Sequence, residues 1–570
     1  MSRLRDRGKA ALRRSGLLGP LRSIRQARAR RAEESAFGPD LDAYRSRFGE
    51  LLARRRAELP ARGTRTALVV GLHNFVPSAK IEGLFSLALR AEGCEPCGVL
   101  RDRSSSQLRR YYELFGIERF FHLEDHFRSG DAALADAALE EFFSEQVTLP
   151  RLMAFDYRGA EIGKHALSWV VRTLHAGMID LASAEVAEPL RETLRTAILT
   201  VHQAERLLDE IRPELLIVNE RGYTPYGELF DAALERGIDA VQWVGCHRDD
   251  ALQLKRYTRD NRLQHPSSFG PEAWRRIQEM PFPKAVEDAF LAAHRQRYQT
   301  GDWYKRQEIQ TGRPILEKRE AAERLGLDPG KKTVVVFSHI LWDATFFYGT
   351  SLFEDYATWL VETLKAAADN PRVNWLVKLH PANVWRRALD GHDDELTELV
   401  LIRERIGKLP DHVQLILPDA AINTASLFGL ADCCVTVRGT VGMEAPMYGI
   451  PVLTGGTGRY AGLGFTIDSR NAEEYLDRLA RIETLPRLSE EEIGAARRHA
   501  HALFELRPLV LESVELDWTS SDEGSVPGVR PRIGAWSEGV PHDLRGAARW
   551  ALEERSEDFM GALAVAPSRT

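Results

Sequence analysis

Short runs of consecutive apolar residues alternate along the chain with longer stretches whose apolar positions recur every three or four residues. Thr66-Ala-Leu-Val-Val-Gly-Leu72, Pro96 to Leu100, Pro213-Glu-Leu-Leu-Ile-Val218 and Ile238-Asp-Ala-Val-Gln-Trp243 are runs of the kind that suits a strand buried on both faces. Between them the spacing predicts helices at about 80–92, through a long middle at about 133–210 that includes Val186 to Ile211, and from Tyr226 to Arg236. Upstream, Leu41, Tyr44, Phe48, Leu51 and Leu52 lie at helical spacing and predict a packed helix over 38–62. Alternation of buried strand and helix is the signature of a parallel sheet wound with right-handed crossovers.

Residues 270–330 are polar and helical, with no strand, and read as a crossover between two lobes. The second lobe repeats the grammar with strands at 333–338, 373–379, 413–417, 432–437 and 450–453. Helices at about 354–368, 395–406, 422–429 and 441–448 separate them, and helices at 471–484 and 488–504 close the unit. A loop-like run follows Trp518, and a last helical piece spans about 541–555. The predicted class is α/β: two doubly wound Rossmann-like lobes facing a cleft, with helical extensions. The expected division is a basic arm (1–35), a connecting helix (36–64), a first lobe (65–270), a helical connection (271–331), a second lobe (332–505) and an extension (506–570). Open sheets of this kind bind ligands at the carboxyl ends of their strands, and a nucleotide or nucleotide-sugar is the expected occupant.

Charge sharpens this picture. The 570 residues carry 77 Lys and Arg against 83 Asp and Glu, a net of −6, which removes a general case for nucleic acid as a partner. Residues 1–35 alone carry +8, leaving −14 for the rest. Leu12, Leu17, Leu18, Leu21 and Ile24 interleave with these cations, so the arm has two readings, contact with an anionic membrane surface or a solvated arm. Gly16, Gly19 and Pro20 argue against one continuous helix there. No run reaches the roughly 18–20 apolar residues of a spanning helix, and no secretory signal core is present. The expected location is cytoplasmic, either free or peripheral on the inner face of the plasma membrane. The five cysteines, Cys94, Cys97, Cys246, Cys433 and Cys434, are too scattered for a disulfide framework. Cys94-Glu-Pro-Cys97 has redox or zinc spacing without a second pair and is expected to be structural.

Three segments of the second lobe carry candidate chemistry. Strand 373–379 runs into Val377-Lys378-Leu379-His380-Pro381, where alternation sets Lys378 and His380 on one side and Pro381 restrains the His380 backbone. They read as a phosphate contact or as a strand-end histidine bonded to a neighbouring loop. In Arg438-Gly439-Thr440-Val-Gly442-Met-Glu444 a strand runs into a helix start, an anion site in which Gly439 and Gly442 admit close approach and Thr440 adds a hydroxyl. Glu444 is placed to accept bonds from ribose hydroxyls or to cap the helix, with Arg438 then a phosphate clamp or an ion-pair partner. Thr454 to Gly464 holds five glycines in eleven residues, among them Gly458 before Arg459, whose guanidinium suits a phosphate.

Together, His380-Pro381, Thr440-Val-Gly-Met-Glu444-Ala, Gly449-Ile-Pro-Val and Gly458-Arg-Tyr-Ala-Gly462 resemble the bacterial capsule polysaccharide biosynthesis family. That family includes Kdo transferases and belongs among the GT-B glycosyltransferases. The resemblance covers about 332–470 and extends more faintly to Pro213 to Gly245; Leu463 stands where the family often has Trp. It implies a glycosyltransferase of capsule or other cell-surface polysaccharide or glycolipid synthesis, with a nucleotide-sugar donor bound by the second lobe. The His-Pro pair is similar to that of CMP-sugar enzymes, which favours a CMP-sugar, and a Glu at the place of Glu444 would hold the ribose. No DxD-like acidic pair ends a strand of the second lobe, so neither a metal nor a cofactor is implied.

On the first lobe, His73, Asn74 and Asn219 follow strands and face the cleft from the expected acceptor side. Glu220 and Asp343 are the candidate catalytic carboxylates, Glu220 as a base or an acceptor anchor and Asp343 as another polar catalytic group. His73 and Glu220 each also read as surface or capping residues, and the sequence leaves open which group, if any, takes the acceptor proton; Ser338 and His339 face the same cleft. Three other readings stand beside the transferase: a nucleotide-sugar 2-epimerase, a CDP-polyol phosphotransferase, and a membrane-associated assembly module with no enzymatic activity.

Overall fold

The computed structural model describes residues 18–60, 63–73, 75–305, 310, 312–381, 383, 395–517 and 528–564. In chain order the strands are β1 (Arg65–Gly71), β2 (Cys94–Leu100), β3 (Phe120–His122), β4 (Leu215–Val218), β5 (Asp239–Gly245), β6 (Ala251–Tyr257), β7 (Thr333–Phe337), β8 (Asn374–Lys378), β9 (Val413–Ile416), β10 (Cys433–Thr436), β11 (Val452–Thr454), β12 (Ile467–Asp468), β13 (Leu509–Val510), β14 (Val514–Asp517) and β15 (Gly528–Pro531). They form a seven-stranded sheet ordered β13-β6-β5-β4-β1-β2-β3, a six-stranded sheet ordered β12-β11-β10-β7-β8-β9, and the hairpin β14-β15. The six-stranded sheet is parallel throughout. In the other, β1 to β5 run parallel and β6 turns back against β5. The expected pair of doubly wound α/β lobes is therefore present.

Both sheets are buried on two sides, which is why their strands read as unbroken apolar runs. In β1, Ala67 and Val69 enter one core while Leu68 and Val70 enter another. In β7, Val335 and Phe337 point one way and Val334 and Val336 the other. Strand order reverses between β1 and β4 in the first sheet and between β7 and β10 in the second, and each reversal opens a crevice beyond the strand ends.

Three features differ from the sequence expectation. A single helix spans Leu18–Glu58, so the interruption expected at Gly19 and Pro20 does not occur. Both residues fall in its first turn, where N–H groups lack partners and proline is tolerated; the arm before Leu18 lies outside the described residues. β2 begins at Cys94, ahead of the Pro96 start expected for that strand, so Cys94 joins Cys97 within it, and all five cysteines are free and buried. The 506–570 segment does not simply trail from the second lobe. Its β13 pairs with β6 at the edge of the first sheet, and Arg545, in the helix His542–Glu553, bonds Glu92 beside the helix Val76–Ala91 (2.8 Å).

Candidate functional site

A cavity of about 300 Å³ opens at the carboxyl ends of β7, β8 and β10, at the second sheet's strand-order reversal. Its wall includes Lys378, His380, Arg438, Gly439, Thr440, Glu444, Arg459 and Asp343 of the sequence-expected residues. His265, which follows β6, and Tyr298 and Trp303 of the connection between lobes complete it.

Arg438 is 4 % exposed. One of its terminal nitrogens donates to Ser351 Oγ (2.5 Å), and its guanidinium lies 5.6 Å from the Tyr356 ring centre. Nε and Nη1 are buried without a partner, and among the described residues no carboxylate pairs with it. A buried cation of this kind is costly unless an anion arrives to complete its shell. Arg459 reaches in from the glycine-rich loop, where Gly458 adopts φ +136°, and its Nε lies 3.1 Å from His265 Nε2. Burial, then the charges of Arg459 and Arg438, push the His265 pKa well below its ordinary value, so this ring adds no positive charge.

Glu444 is wholly buried, and its neighbours answer one question the sequence left open. Its Oε2 accepts a hydrogen bond from the Tyr298 hydroxyl and lies 3.4 Å from His294 Nε2, so Arg438 is not its partner. Tyr298 stays protonated because burial, and then Glu444, raise its pKa well above the phenol value. Glu444 Oε1 is buried without a partner. Lys378 donates through Nζ to the Leu417 carbonyl (2.9 Å), and burial, with Arg313 nearby, lowers its pKa to about 7. The His380 N–H is fixed by Ser338 Oγ (2.9 Å), which joins the ends of β7 and β8.

The two glycines of the turn after β10 serve packing. A Cβ on Gly442 would stand 2.0 Å from the Tyr460 ring, whose hydroxyl donates to the Gly439 carbonyl (2.8 Å). Gly439 turns its own N–H toward Thr436 Oγ1 (3.3 Å). The cradle expected from both glycines is thus partly filled by the protein itself.

The first-lobe candidates do not line the cavity, and the candidate that does on that side comes from the second lobe. Asp343 comes from the loop after β7, yet its Oδ1 accepts from the Tyr223 hydroxyl (2.8 Å) and lies 3.7 Å from Arg172 Nε, both in the first lobe. Glu220 Oε1 accepts the N–H groups of Arg221 (2.7 Å) and Gly222 (3.1 Å). Burial still raises the Glu220 pKa, with Asp343 adding to the rise. His73 stacks on Trp169 at 5.1 Å, and Asn219 donates to the Trp243 carbonyl (3.2 Å). Neither of these, nor Glu220, Gly442 or Gly458, is on the cavity wall. Asn74 lies outside the described residues.

Sequence reasoning passed over Tyr298, His294 and Trp303, although Phe290, His294 and Tyr298 recur every four residues on one face of the helix Lys284–Thr300 and are buried there. It named His339 without a role. That ring accepts at Nε2 from the backbone N–H groups of Val437 (3.2 Å) and Arg438 (3.3 Å).

Residues 284–488, which carry all the second-lobe candidates, match the family model described as "Capsule polysaccharide biosynthesis protein". The resemblance read from the motifs is thereby borne out over that segment. No curated protein matches the chain. Among solved structures, the UDP-GlcNAc 2-epimerase of Neisseria meningitidis bound to UDP-GlcNAc is 12 % identical and covers 76 % of this chain and 96 % of its own, with a TM-score of 0.26. The Thermosulfurimonas dismutans KpsC beta Kdo 2,4 transferase is 16 % identical over 50 % of this chain and 79 % of its own, at 0.28. The spinosyn rhamnosyltransferase SpnG, complexed with spinosyn aglycone, is 13 % identical over 76 % and 95 %, at 0.24. These superpositions are loose, so the fold rests on the strand order of the chain itself.

Proposed function

We propose that the chain is a glycosyltransferase of capsule or related cell-surface polysaccharide or glycolipid synthesis, taking its sugar from a nucleotide-activated donor, with a CMP-sugar favoured. The observation that carries this reading is Arg438, a buried guanidinium with two unpartnered nitrogens at the mouth of a doubly wound sheet. A phosphate oxygen supplies the charge and the acceptors that such a group lacks. Arg459 adds a second cation, and Glu444 Oε1 offers an acceptor to a hydroxyl deeper in the cavity. In this reading an acceptor hydroxyl attacks the anomeric carbon, the bond from that carbon to the phosphate oxygen breaks, and the nucleotide leaves with the electron pair. The hydroxyl proton passes to a carboxylate, Asp343 or Glu220. The protein's own cations stabilise the leaving phosphate, so the reading invokes no metal. The +8 arm is proposed to hold the enzyme at an anionic lipid face near its acceptor.

Thermal-shift titration of the full chain with CMP, CDP, UDP and GDP, in wild type and Arg438→Gln, tests the donor site. Stabilisation by at least one nucleotide, lost in the variant, is expected; no stabilisation by any of them in wild type sinks the reading. A nucleotide that binds then defines the donor for a turnover assay. Nucleotide release that requires an added glycan acceptor supports transfer, whereas acceptor-free conversion of the nucleotide-sugar would favour the epimerase.

A further inference from the structure

His339 is the second residue after β7 and reaches across the strand-order reversal to the turn after β10. Its Nε2 lies 3.2 Å from the backbone nitrogen of Val437, 3.3 Å from that of Arg438 and 3.2 Å from Thr436 Oγ1. A backbone N–H only donates, so Nε2 is the acceptor and carries no proton. Burial first, then Arg438, His380 and Arg459, hold the ring well below its ordinary pKa, so it is neutral and its one proton is on Nδ1. The Tyr356 ring stacks on it at 4.5 Å and 19°, which fixes the imidazole plane. The ring lines the same cavity as Arg438, two of whose nitrogens are buried without a partner. Nδ1 makes no hydrogen bond to any described residue and is not among the atoms closed off from solvent.

We propose that His339 is a second hydrogen-bond donor to the phosphate held by Arg438, its Nε2 fixing the turn that carries Arg438 while its Nδ1–H faces the ligand. This inference rests on the reading of the cavity as a nucleotide site. No proton leaves the ring during transfer. The Nδ1–H bond strengthens as the phosphate oxygen gains charge, and the tautomer is set in advance by the two backbone donors at Nε2. Arg438 and His339 thus form one unit, a permanent cation and a neutral donor locked at the angle of the same turn.

Two variants separate the roles of the ring. His339→Gln sets an amide oxygen where Nε2 stood, so Val437 and Arg438 keep their acceptor, but the Nδ1–H is gone. His339→Asn offers a donor near Nδ1 and abandons the turn. NMR titrations of the full chain with CMP and cytidine, and in parallel UMP and uridine, compare ligands that differ only in the phosphate. H339Q is expected to bind the nucleotide about 10- to 100-fold more weakly, the range for a hydrogen bond to a charged group, while binding the nucleoside as wild type does. Equal loss for nucleotide and nucleoside, or no loss for either, overturns the inference and leaves the nucleotide site standing. Failure of wild type to bind any of the four removes the site and the inference together. Should H339Q not fold, the ¹⁵N shifts of the wild-type ring decide. His339, assigned by its absence in H339N, is expected to show a protonated Nδ1 whose resonance moves with CMP and not with cytidine; a protonated Nε2 overturns the proposal.

Discussion

Replacing Arg438 by Met is expected to stabilise the empty protein and to abolish its response to nucleotide. The guanidinium is 4 % exposed and two of its nitrogens have no partner. An unpaired buried ion costs several kcal/mol after relaxation. Against that stand the bond to Ser351, worth about 1.5–3 kcal/mol for a charged donor, and the Tyr356 face, worth about 0.5–2 kcal/mol. Methionine fills the volume of the stem with no charge to solvate, so the net gain is on the order of 1–2 kcal/mol. For a lobe of this size each kcal/mol moves the melting temperature by about 2–4 °C, so R438M should melt roughly 2–8 °C above wild type without ligand. Nucleotide at about 100 times its dissociation constant adds about 2.7 kcal/mol to wild type and nothing to the variant, so the order reverses. Calorimetry of both proteins, with and without the nucleotide found by screening, reads the whole square. An empty R438M that melts several degrees below wild type would refute the reasoning, because the guanidinium would then be compensated without any ligand.

Acid sensitivity should follow from His499, whose ring nitrogens are buried without partners and whose pKa burial, with Arg507 nearby, lowers to about 3. Its folded pKa lies below the unfolded value of about 6.5, so its stabilising contribution is complete above about pH 6.5 and falls as pH drops toward 3. At pH 5 the loss is about 2 kcal/mol, and unfolding free energies from urea titration at pH 7.5 and 5.0 should differ by about that much less in His499→Phe; an identical difference in both proteins removes the assignment. Gly442→Ala drives a methyl group into Tyr460 and should cost about 1–3 kcal/mol in the same assay, with Tyr460→Leu in the same chain restoring part of it; a neutral single variant would show that the ring moves aside freely. A thiol reagent such as DTNB should find none of the five cysteines reactive in the folded chain and all five after denaturation, since burial pushes Cys97 up to about 11 and Cys94 and Cys433 to about 12. Rapid native labelling of the Cys94 and Cys97 pair would instead revive a redox role.

The inner parallel strands were legible because burial on both faces leaves a continuous apolar run, whereas the short parallel edge strands β3 and β12 were not, and the motifs at β8 and β10 were legible because strand ends fix where their side chains emerge. β6 was not, since Ala-Leu-Gln-Leu-Lys-Arg-Tyr reads as polar. Lys255 and Arg256 are buried there because their partners come from elsewhere: Asp558, at 3.0 Å from Lys255 Nζ, lies 303 residues downstream, and Asp239 sits on the adjacent strand at 2.8 Å from Arg256. A periodicity argument sees only local neighbours, so a charge neutralised from the far end of the chain looks exposed. The same limit hid Tyr298 and His294, which read as part of a solvated connection until Glu444 is brought against them. In the other direction, Arg438 read from the sequence as a phosphate clamp or an ion-pair partner; folding gives Glu444 a tyrosine and a histidine, and no carboxylate among the described residues pairs with Arg438.

The loop from Ser338 to Ser351 explains how motifs so far apart form one site. At its start Ser338 accepts from His380 and His339 holds the turn before Arg438. Midway, Asp343 takes the Tyr223 hydroxyl, and Phe347 occupies the space that a Cβ on Gly222 would need. Further on, the Gly349 N–H donates to the Leu263 carbonyl (2.8 Å), the Thr457 N–H donates to the Thr350 carbonyl (2.7 Å) while the Thr350 N–H donates to Thr457 Oγ1 (2.8 Å), and Ser351 accepts from Arg438. One stretch of chain therefore touches both arms of the second sheet, the glycine-rich loop and the first lobe. Under the proposed reading, in which Arg438 meets a donor phosphate, this packed loop is the stretch of chain that physically joins the phosphate end of the cavity to Asp343.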